Sequence, residues 1–282
     1  MKKSIFLAIV MAVALAILPA CRVAQEDDEI IATTMATTTY AETATALETI
    51  TEPTTTEPAE NLLPTNLNQL SAAAQLEYFN LVVNRVRDER PGFERRSRLR
   101  LVHANNTGVP GAFAPVIQPV VDALMPGHWN VSTQAPGADN RTVFFANTPQ
   151  ASLLRPQDIA SITSVPGADG SWTITVRIRE EVNPMPGLAS ANGRINHILT
   201  PTEVLEKIVG VNDAISVDVE NVSLRYHDGF ASVTVNAQGQ VTAASSGFNV
   251  DATATGVVVL PLRTNVHASQ ETRMYFTNFV WR

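Results

Sequence analysis

Apolar residues first recur at three- and four-residue spacing at Leu76, Phe79, Val82, Val83 and Val86, which predicts an amphipathic helix over 69–89. Arg85, Arg87 and Glu89 fall largely outside that stripe, and Pro91-Gly92 stops the helix. From Phe93 to Val102 the period drops to two. Phe93, Leu99 and Leu101 lie on one side of a strand, and Glu94, Arg96, Arg98 and Arg100 on the other. Helical spacing returns at Phe113, Val116, Ile117, Val120, Val121 and Leu124, where Pro115 and Pro119 delay or kink the helix. The strongest strand pattern sets Trp172, Ile174, Val176 and Ile178 against Thr173, Thr175, Arg177 and Arg179, so one of its faces must be buried.

Turn and cap chemistry punctuates these runs. Pro136-Gly137-Ala138-Asp139 and Pro166-Gly167-Ala168-Asp169 repeat one turn grammar between strand-like flanks. A Pro-rich loop over 183–187 leads to Thr200-Pro201-Thr202-Glu203, a capping box with proline at the first helical position; Val204, Leu205, Ile208 and Val209 give that helix its apolar side. From Ala214 the pattern is of strands: 215–219, 222–226, 230–235, 241–253, 257–262 and 272–281. His227-Asp228-Gly229 and Ala237-Gln238-Gly239-Gln240 read as tight connections. Consecutive strands with short turns after early helices predict an α+β fold, an antiparallel meander with N-terminal and mid-chain helices packed on it.

The first residues have another grammar. Met1-Lys2-Lys3 and the apolar run Ser4 to Leu18 are a charged n-region and an h-region, and the run closes on Leu18-Pro19-Ala20-Cys21. That ending resembles the lipobox of bacterial lipoprotein precursors. The resemblance implies cleavage between Ala20 and Cys21 and a diacylglyceryl group on the Cys21 thiol. The mature chain would then be lipid-anchored on the extracytoplasmic face of the cell membrane. Cys21 is the single cysteine of the chain, so no disulfide forms within it. Residues 4–20 are barely long enough for a hydrocarbon core of about 30 Å. Acyl chains, at roughly 0.8 kcal/mol per buried methylene, hold more firmly.

Residues 21–66 are dominated by Thr, Glu and Ala, with Pro53 and Pro58 and few large apolar residues. Such a segment cannot bury enough surface to offset its ordering entropy, so it reads as a disordered tether spanning roughly 35 to 40 Å. Its threonines are alternative sites for O-glycosylation, whereas sequons at Asn105, Asn130, Asn140 and Asn221 read as coincidence. Residues 67–282 suffice for one α+β domain with its own core. The net charge of −7 owes much to the tether and says little about the domain's partners.

No Gly-x-Ser-x-Gly elbow, His-Glu-x-x-His, phosphate loop or dinucleotide fingerprint occurs, and His103, His128, His197, His227 and His267 lack metal-ligand spacing. The sequence therefore assigns no catalytic residue, metal or cofactor. A surface hydrolase assembled from distant residues is the alternative to a binding or structural module. Arg95, Arg96, Arg98 and Arg100, with Arg85, Arg87 and Arg90 upstream, form the most pointed charge cluster and the candidate anion-binding surface. Its candidate partners are an anionic wall polymer or a lipid headgroup, and an apolar pocket for a small ligand is a separate possibility. Nucleic acid is not expected for an exported chain. The stretches Val86-Arg87-Asp88-Glu89-Arg90-Pro91-Gly92-Phe93, Asp158-Ile159-Ala160-Ser161 before Trp172 to Ile178, and the hairpin around Tyr226 resemble a group of lipoproteins from Firmicutes. That resemblance implies an envelope address and no particular activity.

Overall fold

The computed structural model describes residues 66–107, 128–145, 154–196, 198–210, 219–259 and 262–282. Among them are eight strands: β1 (Gly92–Thr107), β2 (Asn130–Gln134), β3 (Ile159–Pro166), β4 (Trp172–Ile178), β5 (Glu181–Val182), β6 (Asn221–Val235), β7 (Val241–Val259) and β8 (Leu262–Val280). Two α-helices accompany them, α1 (Ala72–Glu89) and α2 (Pro201–Gly210). All strands pair antiparallel in one sheet of order β2-β1-β8-β7-β6-β4-β3, with β5 on β6. The α+β class is therefore observed. Among the described residues β5, β6, β7 and β8 pair in sequence order as a meander, and β8 pairs back with β1.

Helix α1 forms where the apolar stripe predicts it. The Ser71 hydroxyl caps its start by accepting from the Ala74 N–H at 3.2 Å, and Arg90 ends it in the left-handed region at φ 51°, its N–H bonded to the Val86 carbonyl. Leu76, Phe79, Val82, Val83 and Val86 are all buried in one cluster with Phe93, Phe144, Ile174, Val176, Val233 and Phe276 of the sheet and its loops. Polar tethers add register: Ser164 donates to Gln75 at 2.7 Å, and the Asn80 amide pairs both ways with the Leu154 backbone.

At α2 the capping box is present in full. The Thr200 N–H donates to the Glu203 carboxylate at 2.7 Å, and the Glu203 N–H donates to the Thr200 hydroxyl at 3.2 Å. The Tyr226 hydroxyl on β6 donates to the Leu199 carbonyl and accepts from the Leu199 N–H, fixing where this helix starts. Burial pushes that phenol well above the usual tyrosine range.

Two expected connections are strand instead. His227-Asp228-Gly229 is a bulge inside β6, where His227 faces Asn249 and Phe230 faces Gly247 across a register shift. Asp228 takes φ 53°, a conformation an aspartate tolerates, and its carboxylate is held by His227 and Asn249. The expected strand 241–253 and residues 257–259 of the one expected over 257–262 are a single strand, β7, with an irregularity around Gly256 at φ 64°, and Leu262 begins β8. Strands β1 and β8 run further than their apolar alternation. Beyond Leu101 and before Thr272 large apolar residues are sparse, but the backbone still finds partners on the neighbouring strand. Ala237-Gln238-Gly239-Gln240 is the turn it was expected to be, closed between Asn236 and Gln240 with Gly239 at φ 72°. The signal segment with Ala20 and Cys21, the tether up to residue 65, the helix expected over 113–124 and residues 215–218 of the strand expected over 215–219 lie outside the described residues.

Candidate functional site: the arginine face of the sheet

Period two gives the sheet two unlike faces. On one, Phe276, Ala244, Val233 and Ile174 stand in register and are buried. On the other, Arg96, Tyr275, Ser245, Ser232 and Thr175 form one row across five strands, and Arg98, Arg273, Gly247, Phe230 and Arg177 form the next. Arg100 and Glu271 begin the row after that. The residues of these rows are half-buried or exposed, apart from Gly247, as expected for a face in contact with water.

Directly opposed like charges are unfavourable, and Arg98 faces Arg273. The compensation is Glu271, whose carboxylate sits 3.4 Å from Arg98, 3.0 Å from Arg100 and 3.0 Å from Arg273. One anion thus holds three cations. Arg96 and Arg177 have no carboxylate within ion-pair distance among the described residues, and they rest on aromatic rings instead. Arg96 and Arg98 lie 5.6 and 4.8 Å from the Trp129 ring centroid, and Arg177 and Arg273 lie 5.6 and 5.7 Å from that of Phe230. Stacking of this kind fixes the plane of a guanidinium while leaving N–H edges for an anion.

At the centre of the row, Gly247 leaves the sheet without a side chain. A Cβ there would stand 2.6 Å from the Thr272 carbonyl oxygen and 2.8 Å from Arg273 Cδ. Arg273 uses that space to donate to the Phe248 and Thr272 carbonyls. Gly247→Ala is expected to cost about 1–3 kcal/mol through overpacking and to dislodge Arg273. Urea unfolding of the variant measures this, and unchanged stability would show the space to be idle.

The arginine cluster read from the sequence is divided by the structure. Arg96, Arg98 and Arg100 share the face described, whereas Arg95 points to the opposite one, in register with Phe276 and with its guanidinium 3.5 Å from the Met274 sulfur. Arg85, Arg87 and Arg90 belong to α1 and its cap. Arg85 lies over Trp281 and bonds Glu89 and the turn carbonyls of Gln238 and Gly239, and Arg87 is buried and donates to the Arg141 carbonyl. Arg273, Arg177, Trp129, Phe230 and Glu271 join the site although the sequence cluster does not contain them. Their shared signal is the period-two phase of strands whose register the sequence does not state.

Beside the band lies a patch richer in carboxylates, with Glu180, Asp228 and Asp251 around Arg225 and His227. Arg225 donates two 2.7 Å bonds to Glu180, which hold that carboxyl below its usual range and raise the guanidinium further. The His227 hydrogen bond lowers Asp228 in the same way. His227 stands between Asp228 at 2.8 Å and Asp251 at 3.3 Å, and the Ser269 hydroxyl donates to Asp251 at 2.6 Å. Histidine, carboxylate and hydroxyl are thus gathered, but the serine proton is directed to the aspartate and both imidazole nitrogens face carboxylates. No serine-to-histidine hydrogen bond exists here to activate a nucleophile.

His267 pairs with the Thr253 hydroxyl at 3.1 Å, His128 is exposed, His103 lies on β1 opposite Ser269, and His197 is outside the described residues. Among the described residues, no group of three or more His, Cys, Asp or Glu side chains is placed to hold a metal, and no helix is long and apolar enough to cross a membrane. Asn140, one of the sequon asparagines, is buried with its amide on the Val86 carbonyl. No family model, curated protein or solved structure matches the chain.

Proposed function

We propose that this chain is a lipid-anchored, extracytoplasmic binding module of the cell envelope. In this reading a flexible tether carries a sheet with helices laid on one face and an anion-binding surface on the other. The observation that carries the binding role is the row Arg98, Arg273, Gly247, Phe230 and Arg177. Its cations are stacked on rings, or shared over one carboxylate, rather than neutralised one by one. A band whose only purpose was solubility would gain nothing from this stacking. The anchor is supported by the charged start, the apolar run and Leu18-Pro19-Ala20-Cys21.

Each half has its test. Intact mass on the membrane fraction should show a mature chain beginning at Cys21 and carrying acyl mass, with Cys21→Ala released or unprocessed. A full-length unlipidated chain in both would refute the anchor. For the face, the net charge of −7 gives a clean discrimination, since a phosphate-bearing matrix at neutral pH repels the chain as a whole. Retention on such a matrix at low salt, abolished by Arg96→Gln with Arg177→Gln, is the expected result. Passage in the unbound fraction would remove the binding role.

A further inference from the structure

Resting on that reading, we infer that the ligand of the arginine face is a linear phosphodiester polymer of simple polyol repeats, lying across the strands along the row from Arg98 to Arg177. Three features select it, and the first is reach. Arg98 on β1 and Arg177 on β4 are separated by four strand-to-strand steps, β1 to β8, β7, β6 and β4, or about 19 Å at the usual interstrand spacing. Arg96, Arg98 and Arg100 repeat along β1 at roughly 7 Å. A single phosphate touches one or two of these groups, and only an extended polyanion with a charge in every short repeat engages them all.

The second feature is the occupancy of the rings. The Trp129 ring carries Arg96 and Arg98 and lies against Tyr275 at 5.3 Å, and that of Phe230 carries Arg177 and Arg273. Trp129 and Phe230 are thus each engaged by two of the protein's own guanidiniums, whereas a single-stranded nucleic acid would be held by bases stacked on such rings. The ligand therefore contributes charge without rings.

The third is the placing of the cations. Arg273 fills the space over Gly247 and donates to the Phe248 and Thr272 carbonyls, which holds its guanidinium in the middle of the row. Planar guanidinium edges match phosphate oxygens in pairs, which favours phosphate over a single-point carboxylate contact.

The test is calorimetric titration of the full chain, in an uncharged detergent, with poly(glycerol phosphate) of graded length. Affinity should rise with length until the polymer spans the row and then level off. It should fall with salt at a slope of roughly 0.7 per contacted phosphate, as for single-stranded polyanions. Arg96→Gln with Arg177→Gln, which removes no hydrogen bond to the fold, should weaken binding about tenfold with an unchanged melting temperature. Arg225→Gln, in the neighbouring carboxylate-rich patch, should leave affinity intact.

Inorganic phosphate binding as tightly as the polymer would overturn the inference while leaving an anion site standing. So would polyglutamate of equal length matching the polymer, or an oligodeoxythymidylate or phosphatidylglycerol vesicles outcompeting it. Failure of every anion to bind would overturn the binding role as well.

Discussion

Phe144→Ala is expected to destabilise the domain by about 3–5 kcal/mol, the range for a fully buried phenylalanine whose site cannot collapse. Phe144 is fully buried, and its ring meets four others: Phe145 at 4.5 Å, Phe276 at 5.0 Å, Phe93 at 5.8 Å and Phe279 at 6.0 Å between centroids. Those rings come from β1, β8 and the segment after the Pro136 turn, so the cavity would open where distant parts of the chain meet. Edge-to-face geometry with Phe276 and Phe279 adds a term that an aliphatic replacement would not recover. Rigid strand backbones on two sides limit relaxation. Equilibrium urea unfolding measures the loss, with Phe279→Ala, at a half-buried position, as the smaller comparison. A loss below about 1 kcal/mol would mean that the cluster is not the centre of the core.

What the sequence made legible was local. The α1 stripe needed only 3.6-residue spacing, and the α2 start needed only Thr200 and Glu203 three residues apart; both are contacts a chain makes with itself. The β4 alternation was legible for the same reason. What escaped was phase. Val222, Leu224 and Tyr226 are buried at even positions of β6, and Ala231, Val233 and Val235 at odd ones, because the bulge at Asp228 inserts one residue and exchanges the faces. A change of phase around His-Asp-Gly looks the same in sequence whether the chain turns back or bulges and continues. Only the partner strand decides, and β7 continues alongside.

The candidate site was half legible for that reason. Arg96, Arg98 and Arg100 could be placed on one face from β1 alone, and the same alternation sets Arg95 apart from them despite its position in the run. Arg273 and Arg177 lie far away in sequence and reach the site through pairings that no local rule predicts. Phe230 reaches it only through the bulge, which turns it to the same face as His227. The band thus depends on a backbone irregularity remote from the arginines that first drew attention to it. This couples strand register to surface chemistry, since a slip of one residue in β6 would bury Phe230 and expose Ala231.

Glu181→Ala is expected to cost about 2–4 kcal/mol, the scale for removing a carboxylate on which several part-buried donors converge. Glu181 Oε2 accepts from the Ser190 hydroxyl, the Asn192 N–H and the Asn192 side-chain amide at 2.8, 2.9 and 2.9 Å, and Oε1 accepts from the Ala191 N–H at 2.9 Å. Together they pin the segment 187–196 against β5, which in turn pairs with β6 at Tyr226, the residue whose hydroxyl holds Leu199 at the start of α2. Truncation would leave those donors without an acceptor and free the segment to open. Limited proteolysis should then cut within 185–196 at a protease concentration that spares the parent chain, and urea unfolding should report the loss. Glu181→Gln should fall between the two, since its amide oxygen keeps some of these bonds while its NH2 opposes a donor. Because Glu181 faces Tyr226, on the buried side of the sheet, the arginine row is untouched and polyanion binding should survive wherever the variant is folded. Lost binding in folded Glu181→Ala would instead show that the segment 187–196 reaches the ligand, moving part of the site to the opposite face.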